Sequence, residues 1–307
     1  MKKLNHVTIV GMGALGILFG EYFARTMGSE AVTFLADEER IARYGKEMIS
    51  CNGKECRFQL KTPDAAAQAE LLVFAVKATA LPAAVHMAEK CVGGDTVILS
   101  LLNGISSEEY IEKELGKGTV LSCVAQGMDA VKNGGRLTYS HMGKLCIGIS
   151  KSEEEKRPQL ERVRELFDRI ELPYTLEEDI IHRMWSKWML NVGVNQTVMV
   201  EEGTYRTVQE PGKARDLMKA AMREVIMIAE KEGVSVTEKD LDEYTALVDS
   251  LSPDGMPSMR QDGMAGRLTE VELFAGTVLK KAEQYGLEAP VNRELYDRVK
   301  YLESQYK

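Results

Sequence analysis

The chain has 307 residues, 44% hydrophobic and 28% charged, with a formal net charge of −8. Length predicts two domains, and composition predicts a soluble globular protein with a sizeable core. The acidic balance argues against nucleic acid as a partner, which needs a basic surface, and no apolar run reaches the roughly 18 residues of a membrane span.

The opening MKKLNHVTIVGMG has a basic pair before apolar residues, as a signal peptide does. Glycine interrupts it before a long apolar core develops, so it reads as a strand and a turn. Residues 6–11 are a β-branched run ending in glycine, and 13–28 have helical apolar spacing. A second strand follows at 31–36 and a helix in EERIARYGKEM. Asn-Gly within ISCNGKECRF (49–58) signals a hairpin. Residues 71–77, 95–104 and 119–127 are further apolar strands separated by helices. Continuous apolar strands alternating with helices predict a doubly wound α/β sheet. Two more strands, paired antiparallel, are expected within 135–150, a charged helix from 151 to 170, and an extended piece at LPYTL.

From about 178 onward the pattern is helical, with helices expected at 179–200, 211–232, 237–250, 259–285 and 292–305. The predicted organisation is therefore an α/β domain over 1–175 and an all-helical domain over 176–307. Cys51, Cys56, Cys91, Cys123 and Cys146 form no C-x-x-C and read as reduced thiols of a cytoplasmic protein. His6, His86, His141 and His182 have no zinc-ligand spacing, so no metal site is predicted.

VTIVGMGALG sets Gly11, Gly13 and Gly16 as G-x-G-x-x-G between a strand and a helix. The first glycine permits the turn, the second lets backbone approach a pyrophosphate, and the third lets the helix pack closely. Amides of the helix start, over Met12, Ala14 and Leu15, then hold phosphates. After the second strand comes FLADEER. Asp37 suits the ribose hydroxyls of NAD by its spacing, whereas Arg40 and Arg43 suit the 2′-phosphate of NADP. Acids are also favoured at any helix start.

HRMWSKWMLNVGVNQ (182–196) carries Lys187, Asn191 and Asn195 at steps of four, which stacks them on one face of a mostly apolar helix. A lysine at the edge of a packed helix is the plain reading. Three features favour a site instead. The segment is otherwise apolar. A second polar cluster, SMRQDGMAGRLTE, carries Ser258 and Glu270. Lys77 and Asn103 end strands of the sheet, where such folds bind ligands.

These motifs together, GMGALG, AVK with Lys77, LLNG with Asn103, KWMLNVGVN and SMRQDGMAGRLTE, resemble the ketopantoate reductase (2-dehydropantoate 2-reductase) family over nearly the whole chain. The resemblance implies a Rossmann-type domain followed by a helical domain like the C-terminal one of 6-phosphogluconate dehydrogenase. It implies NADPH-dependent reduction of ketopantoate to pantoate, in pantothenate and coenzyme A biosynthesis. Lys187 matches the family's general acid, and Glu270 the carboxylate on the substrate hydroxyl. Asn191, Asn195 and Ser258 match substrate-binding positions. Lys77 and Asn103 match the lining near nicotinamide and substrate, and Glu270 is expected among the cofactor contacts as well.

The chemistry is coherent, since lysine is ordinarily protonated at neutral pH and can supply the proton a reduced ketone needs. The chain departs from the family at Ala36, where arginine is common, and at Ala80, where glutamine is frequent. Tyr205 and Gly255 stand where further asparagines are expected. NAD therefore stays open as the cofactor, another 2-oxo acid or hydroxy acid as the substrate, and a non-catalytic nucleotide sensor as a third reading. The reading allows a homodimer.

Overall fold

The computed structural model of the chain describes residues 2–306. The chain divides into two compact units, Met1–Ile180 and Ile181–Lys307. The first runs β1 (Val7–Val10), α1 (Ala14–Met27), β2 (Val32–Leu35), α2 (Glu38–Tyr44), β3 (Ser50–Cys51), β4 (Lys54–Glu55), β5 (Gln59–Lys61) and β6 (Leu71–Phe74). It continues through α3 (Leu81–Ala88), β7 (Val97–Ser100), α4 (Ser107–Leu115), β8 (Thr119–Gln126), β9 (Val131–Asn133), β10 (Arg136–Thr138), β11 (Lys144–Gly148), α5 (Arg157–Arg169) and β12 (Tyr174–Leu176).

The main sheet has the order β12-β11-β8-β7-β6-β1-β2-β5. From β5 to β8 every neighbouring pair is parallel, and β11 joins β8 antiparallel. The chain moves outward from β1 through β2 to β5, then returns to β6 on the other side of β1. That reversal is the topological switch point at which such sheets bind ligands. Every residue of β1, β2, β6 and β7 is buried, as a sheet covered on both faces requires. Ile9, Phe34 and Val73 pack towards Ile17 and Phe23 of α1 and Val163 and Phe167 of α5. Val10, Leu72 and Phe74 face the opposite layer, Leu81 and Val85 of α3 and Ile111 of α4. The expected doubly wound α/β unit is therefore present.

The Asn-Gly hairpin forms as β3 and β4, with Asn52 and Gly53 both at positive φ (47° and 79°) as its tight turn demands. The two strands expected within 135–150 also form, as β10 and β11, but they are not partners. β10 pairs with β3 and β9 in a separate four-stranded sheet, while β11 pairs with β8 and β12. Two short strands adjacent in sequence resemble a hairpin, yet distant partners claim each of them.

The second unit comprises α6 (Ile180–Val200), α7 (Arg206–Gln209), α8 (Lys213–Lys231), α9 (Glu238–Ser250), α10 (Ser258–Met264), α11 (Thr277–Tyr285) and α12 (Pro290–Ser304). α9 starts with a capping box from Thr237 and Asp240, and α12 starts on proline. The single helix expected over 259–285 is broken. α10 ends at a left-handed Gly266 (φ 62°), with Arg267 N bonding back to Asp262 O at 2.9 Å. A five-residue π-helical turn, Glu272–Gly276, then leads into α11.

Candidate functional site

In the first unit, three loops emerge side by side from the carboxyl ends of adjacent parallel strands β1, β6 and β7. The first is the glycine loop. Gly11 has φ 106°, and a Cβ there would lie 2.5 Å from Ala75 O. At Gly16 a Cβ would lie 2.0 Å from Gly11 O, so α1 presses directly on the turn. Both positions require glycine for packing reasons within the protein.

Gly13 differs. It is exposed, its φ is −77°, and a Cβ there would meet only Ala75 O at an ordinary 3.6 Å. Among the described residues, nothing excludes a side chain at this point. Gly13 caps α1 without a side-chain hydrogen bond, and its carbonyl accepts from Ile17 N at 3.0 Å. The amides of Ala14, Leu15 and Gly16 precede that first helical bond, so they face the loop mouth as donors. Met12 is buried beneath it. An open glycine over a helix N-terminus fits an anionic group that approaches backbone closely, as a pyrophosphate does.

Ala36 follows β2, and its amide bonds Lys61 O at 3.0 Å. Asp37 then caps α2, accepting from Arg40 N at 2.7 Å, and its other oxygen lies 3.4 Å from Arg40 Nη1. The acidic residue and the basic one form one small exposed cluster at the strand end. Lys77, exposed, follows β6, and half-buried Asn103 follows β7. Gly104, at φ 97°, turns the chain just after Asn103.

In the second unit, α6 is buried along most of its length. Beyond its first turn, Lys187, Leu190 and Asn191 are the half-buried residues, so two of the three ladder residues lie on the accessible stripe of this helix. Asn195 lies deeper, and its Nδ2 reaches Asn191 Oδ1 at 3.5 Å. Half-buried Glu270 lies two residues before the π-helical turn, its carbonyl accepting from Leu273 N at 2.9 Å. That turn is tied to α6, since Trp188 Nε1, the neighbour of Lys187, donates to Leu273 O at 2.8 Å. The structure thus joins the Glu270 segment to the helix bearing Lys187.

Ser258 is exposed as the first residue of α10. α10 meets α6 near its far end, where a Cβ on Gly263 would touch Met199 Cε at 2.5 Å. Tyr205 N bonds Gly255 O at 2.9 Å, and a Cβ on Gly255 would stand 3.1 Å from the Tyr205 ring. Tyr205 and Gly255, which stand where further asparagines were expected, therefore pack on each other. Burial pushes the Tyr205 phenol above its ordinary pKa, so it presents a neutral hydroxyl.

Residues that hold these groups escaped the sequence reading. Glu303 on α12 is buried, and its Oε1 accepts from both Thr269 N and Thr269 Oγ1 at 2.7 Å. Gln196 is fully buried and accepts from Ala275 N at 3.0 Å. The available signal for Gln196 was its place in VGVNQ, one more amide in an apolar helix.

Residues 7–152 match the sequence model described as ketopantoate reductase PanE/ApbA, and residues 179–303 match that of the PanE/ApbA C terminus. A 2-dehydropantoate 2-reductase from Halobacterium salinarum is 28% identical over 302 residues, 96% of this chain and 97% of that protein. The fold is similar to a PanE/ApbA family ketopantoate reductase from Ralstonia eutropha JMP134, with TM-score 0.84, 20% identity, and coverage of 98% of this chain and 99% of the other. It is equally similar to D-mandelate dehydrogenase solved with NADH and anilino(oxo)acetate, with TM-score 0.84, 20% identity and the same coverage. With both halves of the sequence matched, the chain belongs to the ketopantoate reductase family.

Proposed function

We propose that the protein reduces a 2-oxo acid, 2-dehydropantoate, to its 2-hydroxy acid, pantoate, with NADPH. One observation carries the reading furthest. Within a chain of this family, Lys187 and Asn191, with Leu190, form the accessible stripe beyond the first turn of an otherwise buried helix. A lysine in such surroundings needs polar partners to remain charged, and a catalytic site supplies them.

In this reading the amides around Gly11, Gly13 and Gly16 cradle the pyrophosphate, with Met12, Ala14 and Leu15 forming the loop. Arg40 meets the ribose 2′-phosphate. Lys77 and Asn103 line the nicotinamide side. When bound, the reduced nicotinamide supplies a hydride to the 2-oxo carbon. Lys187 Nζ polarises the 2-oxo oxygen and gives it the proton it needs as negative charge develops. Glu270 contacts the resulting hydroxyl and offsets the ammonium charge. Asn191 and Asn195 bond substrate oxygens without adding net charge, and the Ser258 hydroxyl does the same.

A second reading of the cofactor has its own support. Asp37 at the end of β2 carries a carboxylate where a 2′-phosphate would be repelled and a ribose hydroxyl welcomed. The test is a panel of 2-oxo acids assayed with NADPH and with NADH. Highest kcat/KM for ketopantoate with NADPH is expected. Faster turnover of an unbranched or aromatic 2-oxo acid would reassign the substrate, and a preference for NADH would reassign the cofactor.

A further inference from the structure

The π-helical turn Glu272–Gly276 has an identifiable cause. In a regular helix each amide bonds the carbonyl four residues back. Here Gly276 N reaches Val271 O, five residues back, at 3.0 Å. One residue earlier, Ala275 N donates instead to the side chain of Gln196, at 3.0 Å. A side chain inserted into a helical ladder widens it, and such bulges occur frequently at functional sites.

Gln196 cannot swing away from this bond. It is fully buried, and its Nε2 donates to Val192 O of its own helix at 2.8 Å and to Asn292 Oδ1 at 3.2 Å. Asn292 is in turn fixed by Glu224, whose Oε2 accepts from Asn292 N at 2.8 Å and from Asn292 Nδ2 at 2.7 Å. Glu224 Oε1 accepts from Val291 N at 2.8 Å, so this buried carboxylate caps the start of α12. A continuous polar chain thus runs from α8 through α12 to α6 and ends on the turn behind Glu270. Trp188 grips the same turn at Leu273 O, two helical turns from Gln196 along α6.

We propose that Gln196 is a positioning residue: it locks the π-helical turn to α6 and thereby fixes where Glu270 stands relative to Lys187. This rests on the reading of Lys187 and Glu270 as the reacting pair. A buried network with every member paired holds one geometry because each alternative leaves a polar group unbonded. Displacing a reacting group by about 1 Å costs on the order of a hundredfold in rate.

The test compares wild type, Gln196→Met, Gln196→Glu and Trp188→Phe, with Leu241→Ala as a control for lost stability in the same unit. Amide exchange is read first, without substrate or cofactor. Gln196→Met should exchange amides 271–276 at least about tenfold faster while α8 stays protected. Kinetics follow. Gln196→Met should lose about ten- to a hundredfold in kcat, with KM for the 2-oxo acid and Kd for NADPH changing less than about threefold. In its protonated form Gln196→Glu keeps an acceptor for Ala275 N and one donor, enough for Asn292 but not also for Val192 O, and should recover part of the loss. Leu241→Ala should keep kcat.

Unchanged exchange in the turn, or wild-type kcat in folded Gln196→Met, overturns the proposal. So does an equal loss in Leu241→Ala. If Gln196→Met does not fold, Trp188→Phe decides by the same two readouts, with a severalfold loss of kcat expected and no loss contradicting it. A wild type that turns over no 2-oxo acid sinks the functional reading instead, and the exchange data still judge the positioning role.

Discussion

The glycine loop and the Glu270 turn solve the same problem by opposite means. Each holds backbone in an unusual path. The loop does so mainly with residues a few positions apart, because Gly11 and Gly16 touch each other, with Ala75 just past β6 as their shared distant neighbour. The Glu270 turn depends on side chains 34, 79 and 85 residues distant, from Glu303, Gln196 and Trp188. Local geometry of the first kind is written in a short motif. Geometry of the second kind is written across the whole unit and becomes visible only once helices pack.

The comparison can be broken first at Gly16. Gly16→Ala puts a methyl group 2.0 Å from Gly11 O, which is backbone and cannot yield. A loss of about 3 kcal/mol of stability is expected, together with loss of dinucleotide binding. Thermal denaturation and a fluorescence titration with NADPH check both. If Gly16→Ala unfolds at the wild-type temperature, the packing argument fails.

The distant clamp is probed at Glu303. Glu303→Ala leaves Thr269 N and its hydroxyl buried without their acceptor, which should cost about 2 kcal/mol. Denaturant unfolding reads that cost, and a change below about 0.5 kcal/mol would mean that the strap is redundant.

Gly13→Ala sharpens the contrast within the loop itself. The position has room for a methyl group and ordinary φ, so stability should stay within about 0.5 kcal/mol of wild type. Binding of NADPH should weaken about tenfold, or about 1.4 kcal/mol, because the pyrophosphate loses its close approach. Unchanged Kd would mean that no ligand approaches there.

The smallest effect is expected at Asp37, an exposed cap. Asp37→Ala should cost about 1 kcal/mol through the lost bond to Arg40 N, and should shift preference towards NADPH by freeing Arg40. Equal ratios of kcat/KM for the two cofactors before and after the change would remove Asp37 from the discussion of specificity.

These contrasts explain what the sequence could and could not disclose. The sheet was readable because β1, β2, β6 and β7 are four-residue runs buried at every position. β5 and β9 were not, being three residues long and not fully buried. The polar ladder was readable because lysine and asparagine stand out at helical spacing in an apolar segment. The break after α10 was missed although Gly266 marks it, because the flanking residues suit a helix. Gln196 was passed over because the value of a buried amide lies in its partners, here 79 and 96 residues away.

The proposed proton-donor role of Lys187 is tested most directly by Lys187→Ala, assayed for ketopantoate reduction and for NADPH binding on the same preparation. A fall of about a thousandfold in kcat/KM with Kd for NADPH within about twofold is expected. Reduction at the wild-type rate by folded Lys187→Ala would contradict the account.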